Sequence, residues 1–570
     1  MSEPWRTEEP DPQTDLAPVR RWLGLAAIVV ACFAVYAPAL TGDFVWDDDT
    51  HLIDNPVLRE GGLHQVWLEP PQEINYWPMT FTTYWVEHQL WGLDPVGYHV
   101  VNVLIHALNA LLIWIALRRL RVPLPWLAAL LFAVHPVNVE SVAWITQRKN
   151  LLSFFFFALS LCCYLRFEDR RSAGSYVAAL AFFLVAMLSK GAAAPLPAVL
   201  LLCAWWRRGV IDKRDGWRVA PFFAVAGVMS LLELSTQVLV AEDFVVRADG
   251  FVARLAGAGW VAWFYLYKAL LPVGLSFVYP RWQIDPSLPW VWLPTVAGVA
   301  LLAIAWRWRD GWGRPALFGL VYTLLMLSPV LGFFDIYYMR FSFVADHYQY
   351  LALIGILALV VGGLGSVLTR RSDVPRPVLI GAAAAAIVFC AVSSAVQSAS
   401  YRNSETLWRD TLARNPEAFL AHYNLARLLH AEERLDAAAY HYSETLRIRP
   451  DDVRAINNLG RIHQDRGEAE QAIEAYRRAL SIDPTFLEAR NNLAVMFQKS
   501  RRPRAALSQY REALRYAPDS PEVHYNLALL LERLGQRGAA ALHFRRSIEL
   551  DPGSEVARRG LERVQAGGSR

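Results

Sequence analysis

Long apolar runs alternate with short polar segments as far as about residue 396, and beyond it the pattern turns to short amphipathic stretches. A helix needs about 20 apolar residues to cross a bilayer. The first run, Trp22–Leu40, has that length and follows Arg20 and Arg21. Ala37-Pro38-Ala39 superficially fits a signal-cleavage site, but the run exceeds the roughly 7–15 residues of a signal peptide's apolar core. It reads as an uncleaved anchor. Further spans are expected at about 99–117, from 123 to a break at His135-Pro136, at 151–165 and 176–188, in a run ending at Trp205-Trp206, and at 219–234, 290–306, 315–330, 351–368 and 378–396. The apolar stretch near 256–271 is flanked by two segments that topology places on one face, so it reads as re-entrant or interfacial. The count is about 11 spans.

Basic residues gather at 118–121, 166–171 and 207–218, which marks those loops as cytoplasmic. The same rule puts the long first loop (41–98), the polar stretch 135–150, Lys190 and the loop 332–349 on the external face. The first loop is dense in aromatics, Trp67, Trp77, Tyr84, Trp85, Trp91 and Tyr98 among them. They suit either a helix lying at the headgroup level or a packed loop core.

The C-terminal pattern is periodic. Pro416, Pro450, Pro484, Pro518 and Pro552 recur every 34 residues, in phase with Ala438, Ala472, Ala506 and Ala540 and with Tyr442, Tyr476, Tyr510 and Phe544. This is the tetratricopeptide helix–turn–helix repeat: small residues let the helices approach, aromatics fill the next layer, and proline ends the second helix. Four repeats follow a half repeat around Trp408, and the tail from Gly553 reads as a capping helix. The fold expected is therefore all-α, a polytopic membrane helix bundle followed by a tetratricopeptide-repeat α-solenoid. Its parts are a disordered cytoplasmic N-terminus (1–20), a membrane domain (21–398) and the repeat domain (399–570). Asn424, Asn458, Asn492 and Asn526 recur inside the repeats, where an amide can hold an extended acceptor peptide or bond a neighbouring helix.

Composition agrees. Of 570 residues 55% are hydrophobic, too many for an ordinary soluble chain, and a net charge of +4 gives no sign of a nucleic-acid partner. The five cysteines all lie in apolar runs, without metal-ligand or disulfide spacing.

The candidate chemistry is external. Asp47, Asp48 and Asp49 follow the first span directly, where carboxylates repel one another and are costly to desolvate. Asp47 or Asp48 is placed to act as a base toward an incoming hydroxyl. Arg148, Lys149, Lys190 and His347 are the external cations that could hold a leaving phosphate, or could simply snorkel at helix ends. His135, Glu140 and Asp346 are expected to support the same site. Three acids in a row could also bind a divalent metal.

The motifs Phe44-Val45-Trp46-Asp47-Asp48, Gly97-Tyr98-His99-Val100-Val101-Asn102-Val103-Leu104-Ile105-His106-Ala107-Leu108, His135-Pro136 with Glu140 and Arg148, and more loosely Lys190 and Asp346-His347-Tyr348-Gln349-Tyr350-Leu351, carry a resemblance. The chain resembles the TMTC family, membrane O-mannosyltransferases with C-terminal tetratricopeptide repeats, and its bacterial relatives. That family belongs to the GT-C glycosyltransferases, which use polyprenyl-phosphate sugars. The resemblance implies transfer of a sugar, mannose in that family, to Ser or Thr of a protein held by the repeats. It implies a site that works without a metal or other cofactor, in a bacterial inner membrane, with loop and repeats on the periplasmic side. A lipid-linked oligosaccharide transferase and a non-catalytic membrane scaffold are the alternatives. The chain departs from the family pattern at Trp77, where a cation is expected, at Gly191, where an acid follows the lysine, at Lys149-Asn150, and at Asp346-His347.

Overall fold

The computed structural model describes residues 18–59, 61–69, 76–241, 247, 249–369 and 375–566. The expected disordered N-terminus therefore lies mainly outside the described residues, and Glu73–Asn75 of the first loop, residues 242–246, Arg370 and Arg371 lie wholly outside them. The described chain is helical throughout and forms two compact units, Met1–Pro416 and Glu417–Arg570. The division falls after the half repeat and not at residue 399. The reason is Trp408: on the helix Ser404–Arg414 it is fully buried against Trp46 and Phe277 of the membrane unit.

Among the described residues of the first unit, seven helices are long and apolar enough to cross a membrane, and eight if the bent pair Pro125–Ala133 and Pro136–Ala143 counts as one span. Two shorter apolar helices, Ala173–Ser189 and Leu353–Leu368, are also among the expected eleven. Phe251–Leu270, the stretch read as not spanning, is a helix of 20 residues carrying Arg254 and Lys268 and is not one of the seven. The expected break at His135-Pro136 is there, as a bend of 50°.

A break inside an apolar region strands carbonyls, and a stranded carbonyl costs several kcal/mol unless a donor reaches it. The neighbouring helix Pro95–Arg119 supplies the donors from residues about one turn apart on one face. Asn102 Nδ2 reaches the carbonyls of Val142, Trp144 and Ile145 at 3.2–3.4 Å. His106 Nε2 donates to Ala133 O at 3.0 Å, so its Nδ1 accepts from Tyr350 Oη at 2.8 Å. Asn109 Nδ2 donates to Leu151 O at 3.0 Å. On the broken segment itself Asn138 donates to Phe132 O at 2.8 Å. His135 is spent likewise: Nε2 donates to Ala269 O at 3.2 Å and Nδ1 accepts from Val137 N at 3.4 Å.

The helix Arg148–Arg170 then runs the depth of the unit, about 34 Å at the usual rise. At its far end Glu168 and Asp169 pair with Arg119, Arg207, Arg208 and Arg218, so all three basic loops meet there. Gly319 and Gly355 sit at another close crossing, where a Cβ on Gly319 would come 2.8 Å from Gly355 O.

The first loop forms a packed core. Leu52, Leu58, Val66, Trp77, Phe81, Tyr84, Tyr98 and Ile145 bury one another, with the helix Pro78–Trp91 at their centre.

The second unit has four helix pairs that begin at Phe419, Val453, Leu487 and Pro521, and a cap Glu555–Ala566. The repeat alanines and aromatics are 0–1% exposed, and a Cβ on Gly460 would come 2.8 Å from the Tyr476 ring. One residue in each helix–helix turn is left-handed: Glu433, Gly467, Arg501 and Gly535, with φ of 59, 77, 57 and 76°. Glycine takes that conformation freely, whereas a side chain costs about 1–2 kcal/mol there. Replacing Arg501 by glycine should therefore raise stability by about 1 kcal/mol after the extra chain entropy of glycine is deducted. Thermal unfolding checks this; a lowered midpoint would mean that the Arg501 side chain makes a compensating contact.

Candidate active site

The two acids of the first loop part company in the structure. Trp46 turns the backbone through φ 51° and enters an aromatic cage of Trp144, Phe277, Tyr338, Phe341 and Trp408. That turn brings both acids onto Thr146. Asp48 is fully buried and accepts the backbone N–H groups of Val45 and Thr146, each at 2.9 Å. Burial, with Asp47 beside it, pushes its carboxyl well above the usual range. Asp48 is thus a clamp that fixes the loop to the helix break. Asp47 accepts the Thr146 hydroxyl at 2.7 Å, lies 3.9 Å from His51 Nδ1 and keeps 24% of its side chain exposed. Of the two, Asp47 is the acid that faces open space.

The adjacent cations divide in the same way. Arg148, expected to hold phosphate, points inward and is completely buried. It pairs with Glu87, donates to Asn102 Oδ1, and donates to Tyr98 O at 2.9 Å. Its guanidinium joins the first-loop helix to the membrane helices and has no donor fork turned toward a ligand. Lys149, one residue on, lies with its ammonium 4.7 Å from the Trp77 ring and 5.6 Å from the Trp144 ring. Among the described residues that ammonium makes no hydrogen bond, and cation–π contact is its main hold. Asp47 and Asp48 supply the nearby negative charge.

Lys190 follows the helix Ala173–Ser189 and donates to Asn150 Oδ1 at 2.7 Å. Asn150 in turn donates to His347 O at 3.2 Å and so ties the lysine to the late loop. Burial, and then the charge of Lys149, bring the Lys190 ammonium down to about 7, against the pull of Glu233, Asp47 and Glu140.

His347 was expected as a cation, and the structure makes it something else. Glu140 takes the His347 backbone N–H at 3.1 Å and the ring Nδ1–H at 2.7 Å. Burial, with Lys190 and Lys149 nearby, keeps the imidazole well below its usual pKa. The ring is neutral, with Nδ1 donating and Nε2 an acceptor. Asp346 accepts the Tyr279 hydroxyl at 2.8 Å, while His135 belongs to the helix break. Among the described residues no three His, Cys, Asp or Glu side chains converge as metal ligands.

Two residues that sequence reasoning missed complete the wall. Thr146 carries both acids. Glu233 accepts from Trp77 Nε1 at 3.4 Å and lies against Gly191. A carboxylate at the end of an apolar span was the signal available for it.

In the repeats, the asparagine amide donors are engaged within the solenoid. Asn424 donates to Leu420 O at 2.9 Å and Asn458 to Tyr423 Oη at 3.3 Å. Asn492 donates to Asn457 Oδ1 at 3.0 Å and Asn526 to Asn491 Oδ1 at 3.1 Å. Asn458, Asn492 and Asn526 link one repeat to the next, while Asn424 bonds within its own helix, so the expected contact with an acceptor peptide competes with these bonds.

A family model described as a tetratricopeptide repeat matches residues 391–453 and 491–555, and one described as a TPR repeat matches 460–500. The chain is 27% identical over 523 residues to protein O-mannosyl-transferase TMTC4 of Homo sapiens, covering 76% of this chain and 66% of that protein. It is 24% identical over 495 residues to protein O-mannosyl-transferase TMTC1 of Homo sapiens, covering 75% and 55%. The chain thus spans 66% or less of the length of these relatives. A crystal structure of MamA protein aligns with 27% of this chain and 84% of that one, at 21% identity and a TM-score of 0.25.

The Arg148–Glu87 pair, with Asn102 and Tyr98 O, fixes the start of the helix two residues after Thr146. Glu87→Ala leaves a buried guanidinium without its counter-ion and should cost about 3–5 kcal/mol. A lowered thermal midpoint of the purified protein is the readout, and Glu87→Ala with Arg148→Met should recover part of the loss. A single variant as stable as the parent would show that the pair holds nothing together.

Proposed function

For a TMTC-like membrane protein with tetratricopeptide repeats, we propose that this site transfers a sugar, mannose by analogy with the relatives, from a polyprenyl phosphate to a Ser or Thr hydroxyl of a protein acceptor. The observation that carries the reading is one wall with two kinds of charge. Asp47 stands partly exposed beside Lys149, whose ammonium has no hydrogen-bond partner among the described residues, and within electrostatic reach of Lys190.

Inverting transfer needs those parts in that arrangement. The acceptor oxygen attacks the anomeric carbon while Asp47 takes its proton. The bond from that carbon to the phosphate oxygen breaks, and the polyprenyl phosphate leaves with the electron pair. Its charge grows as it leaves, and Lys149 and Lys190 stabilise it most in the transition state. His347, neutral, offers Nε2 to a donor hydroxyl. Arg148 and Asp48 act at one remove by fixing Lys149 and Asp47. The repeats hold the acceptor chain, and the donor comes from the external, periplasmic face of a bacterial inner membrane. A scaffold would need neither the acid nor the cations.

The test is transfer from a labelled polyprenyl-phosphate mannose to a Ser/Thr peptide by the purified full chain. Asp47→Asn keeps volume and removes the base, and should lower transfer by about 10²–10⁴ with little change in thermal midpoint. Asp48→Asn turns an amide donor toward one of the two backbone N–H groups and should instead lower the midpoint. Full activity in Asp47→Asn would refute the assignment of the base.

A further inference from the structure

Glu233 lies on the helix Lys213–Ala241, at the end of an otherwise apolar stretch. A carboxylate there is costly unless something compensates it. Two things do so, and each touches one of the two cations. Its Oε1 accepts from Trp77 Nε1 at 3.4 Å, and the Trp77 ring carries the Lys149 ammonium at 4.7 Å. Its Oε2 lies where a side chain on Gly191 would begin, since a Cβ built there collides with that oxygen. Gly191 directly follows Lys190, so only a glycine lets the acid lie on the backbone beside that lysine.

We propose that Glu233 is a positioning residue for the transfer reaction: lying on Gly191 and accepting from the Trp77 indole, it fixes Lys190 and Lys149 together as the receptor for the donor's phosphate. The inference rests on the transfer reading above and says how the two cations are held.

The charges facing Lys190 come from every side: Lys149 at the start of the long helix, Asp47 from the first loop, Glu140 from the broken span, and Glu233. His347, neutral, is also near. Burial and Lys149 disfavour the ammonium, while Glu233 is the first of the acids that favour it. Removing that negative charge makes Lys190 lose its proton at lower pH. Phosphate binding needs the proton, so the alkaline limb of activity should move toward lower pH. A side chain that merely filled space would lower activity equally at every pH.

The experiment compares the parent protein, Glu233→Gln, Glu233→Asp and Gly191→Ala in nanodiscs. Transfer from labelled polyprenyl-phosphate mannose to a Ser/Thr peptide is measured from pH 5.5 to 8.5. Thermal shift by undecaprenyl phosphate over the same range gives a second readout. Glu233→Gln should move the alkaline limb down by roughly one pH unit, which is a loss of about tenfold at pH 8 and little at pH 6. Gly191→Ala, which displaces the carboxylate without removing it, should shift the limb in the same direction, and Glu233→Asp should restore most of it. An unmoved limb in Glu233→Gln overturns the proposal. So does a pH-independent loss accompanied by a lower thermal midpoint. A parent protein that neither transfers mannose nor is shifted by undecaprenyl phosphate overturns the transfer reading, and this inference with it. Parental transfer with an unmoved limb overturns this inference alone.

Discussion

The membrane unit depends on carbonyls that a helix break leaves without partners. Between Ala133 and Arg148 the chain bends, shortens into turns and only then resumes as a long helix. In an apolar surrounding each stranded carbonyl needs a donor. The Asn102 and His106 face of the adjacent helix provides them, and Asn109 adds a bond to Leu151 O in the helix that follows. This explains a polar stripe inside an otherwise apolar span better than direct chemistry does. It also fixes the rotation of the helix that starts at Arg148, because Asn102 binds both the turn carbonyls and the Arg148 side chain.

Once that helix is fixed, the roles of its first residues are no longer free. Consecutive helical side chains point about 100° apart. With Arg148 directed inward at Glu87, Lys149 must point elsewhere, and it points between Trp77 and Trp144. The turn just before the helix offers Thr146, which receives both acids from the first loop. A break that is costly for the fold is therefore also what allows a carboxylate and an ammonium from distant parts of the chain to meet.

Much of this was legible in the sequence. The 34-residue spacing fixed the repeats, and His135-Pro136 marked the break, since proline removes a donor and cannot continue the helix. The clustered arginines gathered the three basic loops. What the sequence did not show was which member of each adjacent pair turns inward. Asp47 and Asp48, like Arg148 and Lys149, are interchangeable by composition, and only the partners Val45, Thr146 and Glu87 separate them. Glu233 was missed because its partners are Trp77, 156 residues away, and the Gly191 backbone. The asparagine column showed a periodic amide but not that three of its four donors join neighbouring repeats. The membrane unit reaches Pro416 because Trp408 follows its aromatic partners and not the repeat period.

The charges at the site also bear on why the departures from the family pattern leave it coherent. Trp77 brings no cation, but its ring face is where Lys149 rests. Gly191 brings no acid, but its missing side chain is where Glu233 lies. In a medium of low dielectric, a pair of ammonium groups close together is unfavourable unless negative charge is shared between them. Asp47, on one side, and Glu233, on the other, provide that charge in the resting site. Among the described residues neither acid hydrogen-bonds the Lys149 ammonium, so on the proposed reading the lysine keeps its donors for an incoming anion. A phosphate entering there relieves the repulsion between the two lysines, and a site built this way favours the form of the ligand with the most charge on its oxygens. On the proposed transfer reading that form is the departing phosphate and not the glycosylated donor, which is the direction in which binding has to change for the reaction to be accelerated.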